Sequence, residues 1–454
     1  MNVKAVILAG GKGKRMRSDL PKVLSTICGD TLIDHVIKNV REAGIDDIAV
    51  VTGYRSETVR ESVGNGVEFF LQSEQLGTAH AVYSALPFFE KDDGYVIVLC
   101  GDAPLVSGDT IKALAEYSEQ NNSDICVLTA VLDDAAGYGR IIRNEKGDFL
   151  GIVEKRDASP EEVLIREVNS GTMIFRADAL RKALASIMAT KPENAQGEYY
   201  LTDTIAFTAN NGGRVFAYRA EDPGVVLGAN DRYELSLCEA AMRKMINIRL
   251  MLSGVRMVDP ANTYIDRDVS IGEGTVIYPG TVITGSAEIG KNNTVYSSRI
   301  DSSFIGDGNI IDSSVIESSV VKDGCRIGPF AHLRKDTVLL GENKVGSFSE
   351  TKNASLGEGT KVPHLSYVGD AEVGRNVNFG CGSVTANYDG KKKHRTVIGD
   401  NAFIGCNVDL IAPIEVGSDT YIAAGSTVSR DIPDRTFVIE RSKRMERDVK
   451  IIKK

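Results

Sequence analysis

From about Ile265 to Val428 an aliphatic side chain returns at every sixth position. Ile265, Ile271, Ile277, Ile283, Ile289 and Val295 open the series, and Ile398, Ile404, Leu410, Val416, Ile422 and Val428 close it. Small residues and glycine fill the gaps, as in Ile271-Gly272-Glu273-Gly274-Thr275-Val276. A period of six matches neither a helix nor the two-residue alternation of a free strand. It matches a coil of parallel strands in which every sixth side chain points inward and stacks on the neighbouring coil. The middle of the series is irregular, and one clear interruption runs from Thr385 to Thr396.

The first half has another pattern. Short apolar runs at Ala5–Leu8, Ile48–Thr52, Tyr95–Leu99, Ile125–Ala130 and Gly171–Phe175 predict strands, and helical periodicity at Thr31–Ala43 and Ser107–Gln120 separates several of them. Such alternation predicts an α/β domain, Rossmann-like, with a mostly parallel, doubly wound sheet covered by helices on both faces. Ligands bind beyond the carboxyl ends of the strands in such sheets. From Asn230 to Ser253 the residues Tyr233, Leu237, Ala240, Ala241, Met245, Ile248 and Leu252 recur at helical steps, predicting a connecting helix that Gly254 and Asp259-Pro260 end. The expected organisation is a domain over residues 1–229, a linker helix over 230–253, and a parallel β-helix with a basic tail over 254–454.

At 454 residues the chain calls for two or three domains. A net charge of −9 argues against general nucleic-acid binding, though not against one nucleotide in a locally positive pocket. The cysteines (Cys28, Cys100, Cys126, Cys238, Cys325, Cys381 and Cys406) are scattered, with no C-x-x-C pair. This argues against a zinc site or a disulfide framework and for a reducing compartment. The strand-like start, Val3 to Leu8, is too short and wrongly flanked for a signal peptide. No apolar run approaches the ~20 residues of a membrane span, so a cytoplasmic protein without a membrane partner is expected.

Directly after the first predicted strand stands Leu8-Ala9-Gly10-Gly11-Lys12-Gly13-Lys14-Arg15-Met16. Glycines let backbone N–H groups approach phosphates, and Lys and Arg neutralise them. The loop lacks the G-K-[ST] of a Walker motif and is not a clean G-x-G-x-x-G; by itself it is equally a tight turn. With Pro21-Lys22 close behind, it resembles the sugar-nucleotidyltransferase family. Gln72-Ser73-Glu74-Gln75-Leu76-Gly77-Thr78 resembles the stretch with which uridine-specific members hold the base. Gly101-Asp102 falls where the family keeps its metal-binding aspartate.

The resemblance implies a UTP and UDP-sugar site built from Leu8, Ala9, Gly10, Gly11, Lys22, Gln72, Gly77, Thr78, Gly101, Asp102, Gly139, Glu154, Asn169 and Asn230. Arg15 and Lys22 would act on the phosphates, and Asp102 and Asn230 would bind one or two Mg²⁺ ions. The implied reaction is in-line attack of a sugar-1-phosphate oxygen on the α-phosphorus of a nucleoside triphosphate. That step needs positioning and charge neutralisation more than a covalent nucleophile. Two positions depart from the common form of the loop: Gly10 for Ala and Lys14 for Thr.

Prisms built on six-residue repeats carry many acyltransferases, and the irregular stretch of this one holds the matching residue types. His364 stands in Lys361-Val362-Pro363-His364-Leu365-Ser366-Tyr367, with Arg334 and Lys352 upstream and Asn378 and Asn387-Tyr388-Asp389-Gly390 downstream. An amine must shed a proton before it attacks, which suits a nearby imidazole, and basic side chains suit a phosphate. The run Lys391-Lys392-Lys393-His394-Arg395 is either a solvated charge cluster or an attractor of anionic phosphates.

This constellation resembles the acetyltransferase half of the bacterial bifunctional N-acetylglucosamine-1-phosphate uridyltransferase and glucosamine-1-phosphate acetyltransferase family. The resemblance implies His364 as the general base. Arg334, Lys352, Tyr367, Asn378 and Lys393 would hold the sugar phosphate, and Cys381, Asn387, Tyr388, Cys406, Ala424 and Arg441 would hold acetyl-CoA. It also implies a left-handed β-helix, a homotrimer, and small-molecule substrates: glucosamine-1-phosphate, acetyl-CoA, N-acetylglucosamine-1-phosphate and UTP. Cys381 and Cys406 stand where Ala and Ser are frequent. Two alternatives use the same folds: another sugar-1-phosphate nucleotidyltransferase with a purely structural prism, and a regulatory subunit like those of the translation-initiation exchange factor. The stretch from Gln72 to Thr78 and the cluster around His364 argue against the first. The glycine loop, Asp102 and Asn230 argue against the second.

Overall fold

The computed structural model describes residues 2–446 except residues 136, 193, 195 and 443, so much of the basic tail beyond Arg441 lies outside the described residues. The chain forms two compact units, residues 1–242 and 243–454, and the division falls within the helix Arg232–Leu252.

In the first unit seven strands run across the sheet in the order Val215–Arg219, Ile125–Val131, Glu167–Arg176, Tyr95–Cys100, Val3–Ala9, Ile48–Thr52 and Glu68–Leu71. All neighbours are parallel except around Glu167–Arg176, which runs antiparallel to both of its partners. The strands are apolar without alternation because both faces are covered. Ile33, Val36, Val40, Ile111 and Leu114 pack on one side, and Ala79, Val82, Leu180 and Leu184 on the other.

Local chemistry sets the helix starts. The Thr31 hydroxyl accepts from Asp34 N–H, and the Ser107 hydroxyl accepts from Thr110 N–H, each at 3.2 Å. The antiparallel strand slips register between Asn169 and Met173, and Gly171 supplies the φ of +81° that the slip requires.

The second unit is a prism of parallel coils. Every hexad residue that opens or closes the series is buried, from Ile265 to Val428. The inward side chains form columns: Ile277, Val295, Ile311, Ile327, Val345 and Val362 pair in succession on consecutive coils. The irregular middle has a simple physical origin. Ile289 pairs with Ile305, sixteen residues on, where Ile265 pairs with Ile283, eighteen on. The coil shortens at its corners, where Ser302, Ser313 and Ser318 take φ of 44°, 44° and 43°. Buried polar groups inside the turns bridge successive coils: Asn293 Nδ2 donates to Gly306 O at 2.9 Å while Asn293 Oδ1 accepts from Asn309 N at 2.8 Å.

The interruption is an ordered excursion. Tyr388 pairs with Lys393 in an antiparallel bridge, and the Asp389 carboxylate accepts from the Lys391 and Lys392 N–H groups at 2.7 Å each. Those donors, with the His394 ring, hold the Asp389 pKa down at about 2. The ladder then resumes, with Phe379 opposite Ile404.

Ile316 is fully buried within one coil. Ile316→Ala removes stacking on both neighbouring coils. It is expected to lower stability by about 2–5 kcal/mol, measured by urea unfolding followed through β circular dichroism.

Candidate active sites

In the first unit the carboxyl ends of Val3–Ala9 and Tyr95–Cys100 open on a cavity of about 250 Å³. Its walls include Leu8, Ala9, Gly10, Gly11, Lys22, Gln72, Gly77, Thr78 and Asp102. The glycines are there because backbones touch. Tyr54 N–H donates to Gly10 O at 3.1 Å, and a Cβ on Gly53 would lie 2.7 Å from that same oxygen. Gly77 has φ of +115°, and a Cβ on it would lie 2.5 Å from Tyr199 O. The Thr78 hydroxyl accepts from Leu201 N–H at 2.8 Å, so it pins the neighbouring segment.

Gln72 is buried, and its amide nitrogen donates to Gly77 O at 3.0 Å and to His80 Nδ1 at 3.2 Å. Its Oε1 therefore faces the loop, 3.0 Å from where a Cβ on Gly10 would stand. The glycine at position 10, unusual for the loop, is thus accommodated by a close Gln72: an alanine there would press on the amide.

The Lys22 ammonium pairs with the Asp102 carboxylate and donates to Asn230 Oδ1 at 3.0 Å. Two hard oxygens from distant parts of the sequence thus converge on one cationic point. Ala229 N–H, donating to Asp102 O at 3.2 Å, holds the two segments together. Mg²⁺ takes one or two protein oxygens and completes its shell with water and phosphate, so this pair fits it. No cluster of three or more His, Cys, Asp or Glu able to hold a metal occurs among the described residues.

Gly139, Glu154 and Asn169 form a second group. Asn169 N–H donates to Gly139 O at 3.0 Å, and a Cβ on Gly139 would lie 3.4 Å from Glu154 Oε2. Burial raises the Glu154 pKa, opposed by a hydrogen bond from the Thr202 hydroxyl at 3.5 Å. The Gly171 bulge links this group to the cavity through Cys100, whose thiol donates to Gly171 O at 3.9 Å and whose pKa burial pushes up to about 12. A Cβ on Gly101 would lie 3.0 Å from Leu8 O, so that glycine seats the two strands against each other.

Arg15 is not in the cavity wall: it stands exposed in the short turn Lys14–Met16, beside an equally exposed Lys14. Glu198, which lines the cavity, and Gly53 and Tyr199, whose backbones press on Gly10 and Gly77, were not singled out from sequence. Thr52-Gly53-Tyr54 follows a predicted strand as directly as the glycine loop does and carried the same signal. A larger cavity, about 460 Å³, opens near Asn2 and Val3 at the start of the first strand, but Asp46, Asp47, Glu116 and Glu119 line it against one Lys112. Four carboxylates repel phosphate, so it is no nucleotide site.

In the second unit the coils bring the predicted residues together by register. Ser347 pairs with His364, Glu350 with Tyr367, Lys352 with Gly369, and Lys361 with Asn378. Arg334 donates to Glu350 Oε1 at 2.7 Å. Lys352 lies close to Lys393 and Arg334, and these neighbouring cations lower its pKa, Lys393 most. A bound dianion would relieve that crowding of like charge. Asp370 is the counter-charge, accepting from Asn353 Nδ2 at 2.6 Å and from Asn387 Nδ2, which also reaches the Tyr367 hydroxyl at 3.4 Å.

His364 is exposed at the end of its strand, next to a corner where Leu365 takes φ of 43°. Continuing the ladder registers, His364, Cys381, Cys406 and Ala424 occupy equivalent positions on four successive coils. Cys406, Ala424 and Tyr388 are exposed and Cys381 is half-buried. Arg441 is exposed beyond the last coil.

A glycine-walled cavity of about 250 Å³ in one unit and a basic, histidine-bearing face of a β-helix in the other define a two-site transferase. Residues 5–145 match the MobA-like NTP transferase domain family, residues 285–379 the GlmU-like C-terminal hexapeptide family, and residues 395–430 the bacterial transferase hexapeptide family. The bifunctional protein GlmU of Shouchella clausii is 48% identical over 446 residues, which span 98% of this chain and 97% of that protein. The GlmU proteins of Brevibacillus brevis and of a Geobacillus species are each 46% identical, across 98% of this chain and 96% of theirs. The chain belongs to the GlmU family of bifunctional enzymes, with uridyltransferase and acetyltransferase activities.

Gly77→Ala places a methyl group against Tyr199 in a backbone region that disfavours side chains. Nucleotidyl transfer is expected to fall at least ~10-fold in kcat/KM, with acetyl transfer in the same preparation reporting that the chain is folded.

Proposed function

We propose that the enzyme first transfers acetyl from acetyl-CoA to glucosamine-1-phosphate at the β-helix site. It then transfers uridylyl from UTP to the resulting N-acetylglucosamine-1-phosphate, releasing pyrophosphate, in the first unit. Residues 1–229 are assigned to the second reaction, 230–253 to the connector and 254–454 to the first. The observation that carries this reading is the convergence of Arg334, Lys352 and Lys393 beside Tyr367, on coils that also bear His364. A purely structural prism has no need to hold two lysines in contact.

At the acetyltransferase site the cations and Asn378 hold the sugar phosphate, and His364 takes a proton from the amine. The amine nitrogen attacks the thioester carbonyl, a C–N bond forms, the C–S bond breaks, and the coenzyme A thiolate leaves as its thiol by taking the proton back from His364. Cys381, Asn387, Tyr388, Cys406, Ala424 and Arg441 provide the coenzyme surface. At the uridyltransferase site Gly10, Gly11 and Gln72 hold the nucleotide, with Gly77 and Thr78 fixing the wall beside them. Gly139, Glu154 and Asn169 orient the sugar and ribose. Lys22 moves from Asp102 to the reacting phosphates, and Arg15 folds in from solvent to join it. Asp102 and Asn230 would hold Mg²⁺, which supplies charge neutralisation at the phosphates when bound.

The flat faces of the β-helix, with stacked rings such as Tyr278 on Tyr296 at 4.3 Å, suit a homotrimer. No described helix is long and apolar enough to cross a membrane. We assign the enzyme to the cytoplasm, where its product would feed peptidoglycan and lipopolysaccharide synthesis.

His364→Ala is expected to abolish acetyl transfer and leave uridyl transfer near wild type, and Asp102→Ala to do the reverse. Loss of both activities by either variant in folded protein defeats the two-site reading. Lys352→Ala with Lys393→Ala is expected to raise KM for glucosamine-1-phosphate by ~10–100-fold, with a smaller change for acetyl-CoA, measured by initial rates. Incubation with glucosamine-1-phosphate, acetyl-CoA, UTP and Mg²⁺ is expected to yield UDP-N-acetylglucosamine by mass only when all four are present.

A further inference from the structure

Two of the cysteines differ from the rest in both position and access. Cys126, Cys238 and Cys325 are buried, and burial pushes their thiols up to about 12, 12 and 11. Cys100 lies deep in the nucleotide cavity wall with its thiol likewise raised to about 12, and Cys28 is half-buried against Glu239 O at 3.8 Å. Cys381 and Cys406 instead open onto the prism surface, and each begins the turn after a ladder strand.

They are twenty-five residues apart in sequence yet stand side by side. Asn378 pairs with Phe403 and Phe379 with Ile404, a register that continued by two residues sets Cys381 opposite Cys406. Backbone bonds lock that register on both sides: Gly380 N–H donates to Ile404 O at 2.7 Å and Asn407 N–H to Cys381 O at 2.8 Å. A Cβ on Gly380 would lie only 2.8 Å from Cys406 Cα, so the two turns are in backbone contact. Neighbouring parallel strands are roughly 4.8 Å apart, within the Cα separation that a disulfide spans. The loop between Thr385 and Thr396 carries the intervening residues away and returns them to register, which is how so long a separation becomes a contact.

We propose that Cys381 and Cys406 are a redox modification site: a peroxide converts them to a cross-coil disulfide that closes the acetyl-CoA surface. The inference rests on the acetyltransferase reading above. One thiolate attacks a peroxide oxygen, the O–O bond breaks, and a sulfenic acid forms; the departing hydroxide takes up the proton the thiol lost and leaves as water. The second thiolate attacks that sulfur, the S–S bond forms as the S–O bond breaks, and this hydroxide takes up the second thiol's proton; in sum two thiols and one hydrogen peroxide give a disulfide and two waters. A small dithiol reverses the bridge by thiol–disulfide exchange. The bridge would stand between His364 and Ala424, in the row of equivalent coil positions assigned above to acetyl-CoA. The nucleotidyl site uses neither thiol, so oxidation separates the two activities of one chain.

The test uses the whole enzyme with stoichiometric hydrogen peroxide, both activities assayed before and after, and non-reducing peptide mass mapping. Acetyl transfer is expected to fall to background and return with dithiothreitol, uridyl transfer to hold, and a peptide linking Cys381 to Cys406 to appear. Bound acetyl-CoA is expected to slow the loss. Cys381→Ala and Cys406→Ser, each compared with its own untreated activity, are expected to lose the reversible component. Undiminished acetyl transfer after peroxide overturns the proposal, as does equal, dithiothreitol-reversible loss in the double variant. Sulfinic acid or a mixed disulfide with coenzyme A in place of the cross-coil peptide also overturns it. Absence of acetyl transfer before any oxidation would instead strike the acetyltransferase reading itself.

Discussion

Parallel coils are tied by one ladder of backbone hydrogen bonds, about 4.8 Å apart, and that spacing decides where the functional groups on the coils of the second unit lie. Each coil places one residue above its counterpart in the next, so a side chain acquires neighbours by register and not by proximity in sequence. Tyr367 stands opposite Glu350, Asn378 opposite Lys361, and Cys381 opposite Cys406 because the ladder aligns the positions that carry them. The inward aliphatic columns keep that alignment. A slip of one position would turn Ile or Val outward and bring a polar residue into the prism.

The first unit solves a different problem with the same economy. Its strands end in backbone that must pass close to other backbone, as at Gly10 with Gly53 and at Gly77 with Tyr199. Side chains are excluded there by contact, which leaves a wall of amides next to a few charged groups. Lys22, Asp102 and Asn230 then balance one another. A cationic side chain on two oxygen donors keeps the unliganded pocket near neutrality, and phosphate competes for the lysine as metal competes for the oxygens.

Much of this was legible in the sequence, for identifiable reasons. The hexads were readable because each inward position admits little but an aliphatic side chain. The cavity wall was readable because Leu8 to Gly11, Lys22, Gln72, Gly77, Thr78 and Asp102 cluster in short motifs after strands. The reversed direction of Glu167–Arg176 was not readable, since an apolar run carries no sign of its polarity. The shortened coils between Ile289 and Ile327 blurred the period, because a corner serine can absorb a missing residue. Arg15 shared a motif with the cavity residues but not their surroundings, and the approach of Lys393 to Lys352 depends on the excursion folding back over the coil. Tyr199 and Glu198 belong to an aperiodic segment whose place is set by Gly77 and Leu76.

The excursion between Thr385 and Thr396 has a further implication. The coil closes beneath it, with Thr385 still opposite Leu410 and Thr396 opposite Ile414. Its tip is closed by its own bonds, Tyr388 to Lys393 and the Asp389 cap, while Asn387 and Arg395 at its base are tied to Asp370 and Glu372. The tip therefore behaves as an inserted cassette whose length can change without moving the scaffold, since lengthening a closed loop adds little entropy cost. Chemistry can be rewritten at that point while the register on either side is left alone. A repetitive fold that is nearly featureless along its length thereby gains one address at which a substrate site can be specified.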